Sequence, residues 1–378
     1  MSKKYLILLT YIILNSKILI CEADEPIILS IQYINETGMV ISGGKTPGAM
    51  MQGRGSLKLQ LQLEKMGLWR GGKLQIMGNV THGGNFSEEK IGDYQVASNI
   101  DAGDHIYIHE LFYQQNISNF TIKLGVQDLN VDFLVSDNSS LFVNSSFGVP
   151  SVIAHGIPAP IYPLTAMGAV CQIEFNDAIC FKTSFYDGLP ISFENNPYNT
   201  NWHINDKHGF QFFNEIAIRP QLINQKATTL KLGFYHHTGI NDPKNEYYEA
   251  YTKKNGYYFI FDQDIWQLES KKISLFGQAT YSPSKKETDN NLYLGLGSVF
   301  YDIFSIINND MFGIALAYSK FNKKEFNYEL TVETFYRFKI CSVLDFQPDL
   351  QYIINPGGNF NNKINNALVG FLRFILEY

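Results

Sequence analysis

His105, His109 and Glu110 place two imidazoles and a carboxylate within a few consecutive positions of a 378-residue chain. On a helix, two His four residues apart can share a metal ion. On a strand the same spacing separates them by about 13 Å, too far for one ion. The surrounding segment reads as a strand, and the second His of a His-Glu-x-x-His motif is missing. Asp128, Asn130 and Asp132 offer oxygen ligands at alternate positions, but ordinary loop polarity explains them more simply. No metal is expected. Neither a Gly-x-Ser-x-Gly nucleophile turn nor a phosphate-binding loop occurs, so neither an enzyme nor a cofactor is expected. Phe175-Asn176-Asp177-Ala178 reads as a tight turn that puts Cys171 and Cys180 on opposite faces. Side chains on opposite faces cannot bridge, so these two and Cys341 are expected to stay thiols.

The elements that would position such side chains are strands. Ser56–Glu64 carries Leu at 57, 59, 61 and 63, with a polar or charged residue at every position between. A strand turns alternate side chains to opposite faces, so one face is apolar and the other hydrophilic. The pattern recurs at 73–81, 120–127 and 229–235. It is longest at 328–340, where Glu329, Thr331, Glu333, Phe335, Arg337 and Lys339 share one face. Further candidates lie at 105–115, 167–175, 179–186, 210–218, 257–261, 272–281, 291–300, 312–320 and 344–354. Tight polar links alternate with long Asn-, Pro- and Gly-rich ones, as between the strands of an outer-membrane barrel. About fifteen strands are countable and closure calls for an even number. Sixteen is the expectation, with the remaining strand at Met39–Ser42 or Asp264–Leu268. A two-sheet sandwich is the soluble rival.

The start of the chain reads as an export signal. Lys3 and Lys4 precede an apolar run, Tyr5–Leu14, and cleavage is expected after Ala23, giving a signal peptide of residues 1–23 and a barrel domain of 24–378. Lipidation of Cys21 is disfavoured by the bulky Ile20 before it. No later apolar run reaches the length of a membrane-spanning helix. Removing three Lys and one Glu takes the formal charge from -6 to -8. That acidity argues against nucleic acid and fits a weakly cation-tolerant lumen. At the other end, Leu368, Gly370, Leu372, Phe374, Leu376 and Tyr378 alternate up to the last residue. Phe374, Leu376 and Tyr378 are the expected signal to the barrel-assembly machinery.

Several motifs resemble the carbohydrate-selective porins of the OprB type. The segment Val126–Leu164 is similar to that family's loop and strand region. So are Ser42-Gly43-Gly44, Arg54-Gly55, the approach Glu64–Gly72 to Lys73-Leu74-Gln75, Gly92-Asp93, and Glu110 with Phe112 and Gln115. Phe185-Tyr186-Asp187-Gly188 and Asn355-Pro356-Gly357-Gly358 add to the list. The chain departs at Phe147-Gly148, where the family has Phe-Cys-Gly, and at His105-Ile106, where it has Arg.

The resemblance implies a sixteen-stranded transmembrane antiparallel β-barrel, with short periplasmic turns, longer outer loops and a constriction loop folded inward. It implies passive diffusion of small sugars such as glucose across the bacterial outer membrane. Lipid and sugar are then the partners, and a homotrimer is an assembly it allows. Sugar hydroxyls need carboxylates, amides and Arg, and the apolar ring face needs aromatics. Strand parity and motif place Arg54, Lys58, Glu110, Phe112, Asp128, Asn144, Tyr186, Glu333, Arg337 and Arg373 at the constriction or in contact with solute. Val131–Pro163 is the stretch expected to narrow the lumen. A general or amino-acid porin of the same fold remains a rival, as does an exported glycan-binding β-protein that conducts nothing.

Overall fold

A computed structural model describes residues 25–378 except 221–226, 248, 250, 284–288, 303–308, 323–327 and 360–363. The expected signal segment 1–23 and its cleavage site lie outside the described residues. Sixteen strands form one closed antiparallel sheet. They are β1 (Ile27–Gly44), β2 (Gly48–Gln62), β3 (Gly72–His82), β4 (His105–Ile117), β5 (Phe120–Gln127), β6 (Ala166–Asn176), β7 (Ile179–Asp187) and β8 (Phe210–Ile218). The second half comprises β9 (Thr228–His237), β10 (Lys254–Leu268), β11 (Lys271–Tyr281), β12 (Asn290–Tyr301), β13 (Met311–Phe321), β14 (Tyr328–Cys341), β15 (Leu344–Ile354) and β16 (Asn365–Glu377). Each strand pairs with its chain neighbours, and β1 closes on β16. The missing strand is β1, which contains Met39–Ser42, whereas Asp264–Leu268 is the end of β10.

Closure matters because no sheet edge is left, so every strand finds partners on both sides. The apolar sets of these alternating strands turn outward: Leu57, Leu74, Ile76, Leu232, Leu296, Leu316 and Leu372 are all exposed. Their partners in sequence point into the barrel. Tight links at 118–119, 177–178, 269–270 and 342–343 sit on one rim, and the longer segments 83–104, 128–165, 188–209 and 238–253 on the other.

The interior is not an empty tube. Segment 128–165 folds inside and carries its own apolar residues. Phe142 and Phe147 pack with Phe276 of β11 and Phe335 of β14, the rings of Phe142 and Phe335 lying 4.9 Å apart. Leu129, Phe133, Leu134 and Ile153 pack on β6–β10 through Val170, Tyr186, Phe213, Tyr235 and Tyr258. A second inward segment, 83–104, is unannounced by the alternation. Its Phe86 packs on Phe371 at 5.5 Å. Inward Gly38 makes room for it, since a Cβ there would come within 2.8 Å of both rings.

Both segments are tied down by carboxylates of the wall. Glu333 accepts the N–H of Val143 at 2.5 Å and of Asn144 at 3.0 Å. Glu329 accepts those of Tyr94, Gln95 and Gly357 at 2.8, 2.9 and 2.6 Å. Asp262 takes Ser136 Oγ and Asn138 Nδ2, each at 2.8 Å. An inward carboxylate satisfies several loop donors at once, so none of those backbone groups is left unpaired.

Candidate functional site: the channel constriction

Because the two inward segments pack on β6–β16 and on β1, the inward faces of those strands are largely buried. Partial exposure is kept on the inward faces of β2–β5. There Arg54, Lys58, Gln60, Gln62, Lys73 and Gln114 keep partial exposure. Segment 128–165 faces this wall through Tyr162.

Arg54 stands on this wall. Its Nη2 donates to Gln32 Oε1 at 2.7 Å, and its guanidinium stands 5.4 Å over the ring of Tyr162 from the inward segment. Burial pushes the Tyr162 phenol well above its usual range, so that ring stays neutral. Below Arg54 runs a ladder of amides and acid. Gln60 Nε2 donates to Gln75 Oε1 at 2.5 Å, and Gln75 Nε2 donates to Glu110 Oε2 at 2.7 Å. Glu110 then accepts the N–H of Asp128 at 3.3 Å. Phe112 lies under Lys123, whose Nζ is 5.4 Å from the ring centre and 2.6 Å from Asp132 Oδ1.

A bulge shapes this wall. The β3–β4 register jumps from Met77 opposite Glu110 to Gly78 opposite Ile108, leaving His109 as the extra residue. A bulge reverses parity. Hence Tyr107 and His109 face inward together with Glu110 and Phe112, which strict alternation forbids. Alternation over 105–115 assigns His109 to the outer face, so sequence reasoning misses it; no residue type in the segment announces the extra position. His109 Nε2 hydrogen-bonds Asp128 Oδ2 at 3.1 Å, and Asp128 caps Asn130 N at 2.8 Å. With Asp132 on Lys123, these oxygens are committed to protein partners. Cys171, Cys180 and Cys341 are free.

The expected site residues divide into three groups. Arg54 and Lys58 line the wet wall. Glu110, Phe112, Asp128 and Arg373 form its buried backing, while Asn144 and Glu333 anchor the inward segment from beneath and are 0% exposed. Two expectations are corrected. Tyr186 cannot meet solute, because segment 128–165 covers it completely. Arg337 lies toward the tight-link rim, where Nη2 pairs with Asp345 Oδ2 at 2.6 Å, and takes no part in the constriction. The wet wall is basic, with Lys58, Lys73 and Lys123 neighbouring one another beneath Arg54.

The profile of the carbohydrate-selective porin, OprB family, matches residues 46–377. The chain belongs to that family. Among solved structures it resembles the high-pH structure of Pseudomonas putida OprB, with a TM-score of 0.82, 19% identity, and 94% of this chain and 95% of that one covered. The low-pH structure of the same protein gives 0.61, at 16% identity over 100% and 98% of the two chains. A mutant of the Rh. blastica porin gives 0.53, at 8% identity over 93% and 100%. No curated protein matches. This porin is thus a sugar-diffusing channel of the bacterial outer membrane, and its closed sixteen-strand barrel is the fold that the likeness shows.

Proposed function

We propose that this porin passes neutral monosaccharides down their gradient along the β2–β5 wall, with Arg54 as the principal hydroxyl donor and the Tyr162 ring beside it. The observation that carries the proposal is the placement of Arg54 over Tyr162, on the one wall the inward segments leave wet. A guanidinium offers fixed donors to adjacent hydroxyls, and an aromatic ring suits the apolar face of a pyranose. Binding there stays weak, as flux requires. Lys58, Gln60 and Gln114 offer further donors and acceptors along the path. On the same reading the rim of tight links faces the periplasm, residues 1–23 are removed on export, and Phe374, Leu376 and Tyr378 guide assembly. Trimerisation is compatible with it.

The test is block of ionic current by glucose in planar bilayers. Arg54→Ala should weaken glucose block about tenfold, the size expected for hydrogen bonds from a charged donor. Unchanged block would remove Arg54 from the sugar path. A general or amino-acid porin would show no saturable block by glucose at all.

A further inference from the structure

Away from the constriction, the rim of long segments holds a cleft of about 430 Å³ between 188–209 and 238–253. That volume falls within the range of small-ligand pockets. One side is apolar, formed by Leu189 and Ile191. Facing it are Asn195, His208, Glu246 and Tyr247, the last of them 37% exposed. We propose that this cleft is an outer sugar-binding subsite, which takes one pyranose ring before it enters the channel. The proposal rests on the sugar reading given above.

The chemistry is that of a ring with an apolar face and a hydroxyl rim. Tyr247 supplies an aromatic face, and the Asn195 amide and the Glu246 carboxylate supply hydrogen-bond partners of both signs. The site is built rather than incidental. His208 is oriented by Asp187, Nδ1 to Oδ1 at 2.8 Å. The two walls are joined by Asn241 N donating to Lys207 O at 2.8 Å and Asn241 Nδ2 to Asp206 O at 3.0 Å. Tyr247 is set by its own N–H on Asn245 Oδ1 at 2.9 Å, and its ring lies 5.9 Å from that of Tyr251. The cleft is also tied to the inward segment. Gln211 Nε2 bridges Pro158 O at 2.7 Å and Gly188 O at 3.0 Å, and Lys254 Nζ donates to Gly156 O at 2.7 Å. A sugar held there stands on the same rim as Gly156 and Pro158 of the inward segment.

Glucose is added to one side of a single channel at a time, and the association rate of current block is measured. The subsite predicts faster association from the long-segment side, and a roughly two- to tenfold loss of that rate alone in Tyr247→Ala, the range of one aromatic contact. Asn195→Ala should act in the same direction and leave association from the tight-link side unchanged. Equal rates from both sides, with both variants like the parent, would overturn the subsite while leaving sugar transport intact. Absence of block from either side would instead defeat the sugar reading itself.

Discussion

Arg373 of β16 reaches Glu36 of β1 across the line where the first and last strands close the barrel, Nε to Oε2 at 2.6 Å. The two residues are direct register partners, and Glu36 is 0% exposed. Gln52 Nε2 donates to the other carboxylate oxygen at 2.9 Å, and Arg373 Nη2 holds Asn99 Oδ1 at 2.8 Å. One ion pair thus joins the closing strands to the second inward segment.

Breaking that pair should be costly. Arg373→Ala leaves a buried carboxylate without its cation, for which about 3–5 kcal/mol is typical. Urea unfolding in detergent should show that loss, and Arg373→Met combined with Glu36→Gln should recover most of it. A single variant as stable as the parent would mean the seam does not depend on this pair.

The wall carboxylates govern how far the inward segment narrows the lumen. Glu333→Gln keeps one acceptor oxygen but replaces the other with a donor facing the N–H groups of Val143 and Asn144. Segment 128–165 should loosen, raising single-channel conductance and exposing the segment to protease. The expected cost is about 1–3 kcal/mol, that of leaving a buried donor without an acceptor.

Acidity should matter at the second inward segment. Burial pushes Asp93 up to about 7 from its usual 3.8, with the Asp101 carboxylate adding to the rise and Ser87 opposing it. Asp101 is pushed up to about 6 by its own burial. Glu329 of β14, which holds the neighbouring N–H groups, faces Asp93 as well. Between about pH 4 and pH 7 the folded chain holds protons that the unfolded chain has released. The stability tied to them is complete below the unfolded value and is lost as pH rises through the folded one. The unfolding temperature should therefore fall from about pH 5 to pH 8. Asp93→Asn should flatten that slope and be the more stable protein at the upper end.

Ion preference follows from the wet wall rather than from the acidic chain as a whole. Lys58 and Lys73 neighbour Lys123 under Arg54, while the acidic residues around the constriction are buried backing. In a salt gradient the zero-current potential should report anion preference. Lys58→Gln with Lys73→Gln should shift it toward zero.

The barrel was legible because its signal is periodic. Lipid on one side and water on the other impose strict alternation, and Leu57 to Leu63 displays it without interruption. β1 was harder to read, since Asn35 and Thr37 interrupt its outward apolar face while Ile34 and Val40 put apolar residues on the inward one, beside Gly38, which makes room for Phe86. The site was less legible for two physical reasons. The bulge at His109 reverses parity with no mark in the composition. Parity also separates inside from outside but not wet from covered, so Tyr186 and Arg54 read alike until segment 128–165 is in place. The motif at Arg54 and Glu110 falls on the part of the wall that keeps partial exposure; what it could not supply was the packing that covers the rest.

The most direct measurement is swelling of liposomes containing the detergent-purified, heat-modifiable barrel, with glucose compared against a zwitterionic amino acid of similar size. Glucose should enter well ahead of the amino acid, and Arg54→Ala should narrow the difference. Equal rates for the two solutes would contradict sugar selectivity while leaving an open pore, and no swelling from folded protein would contradict the channel itself.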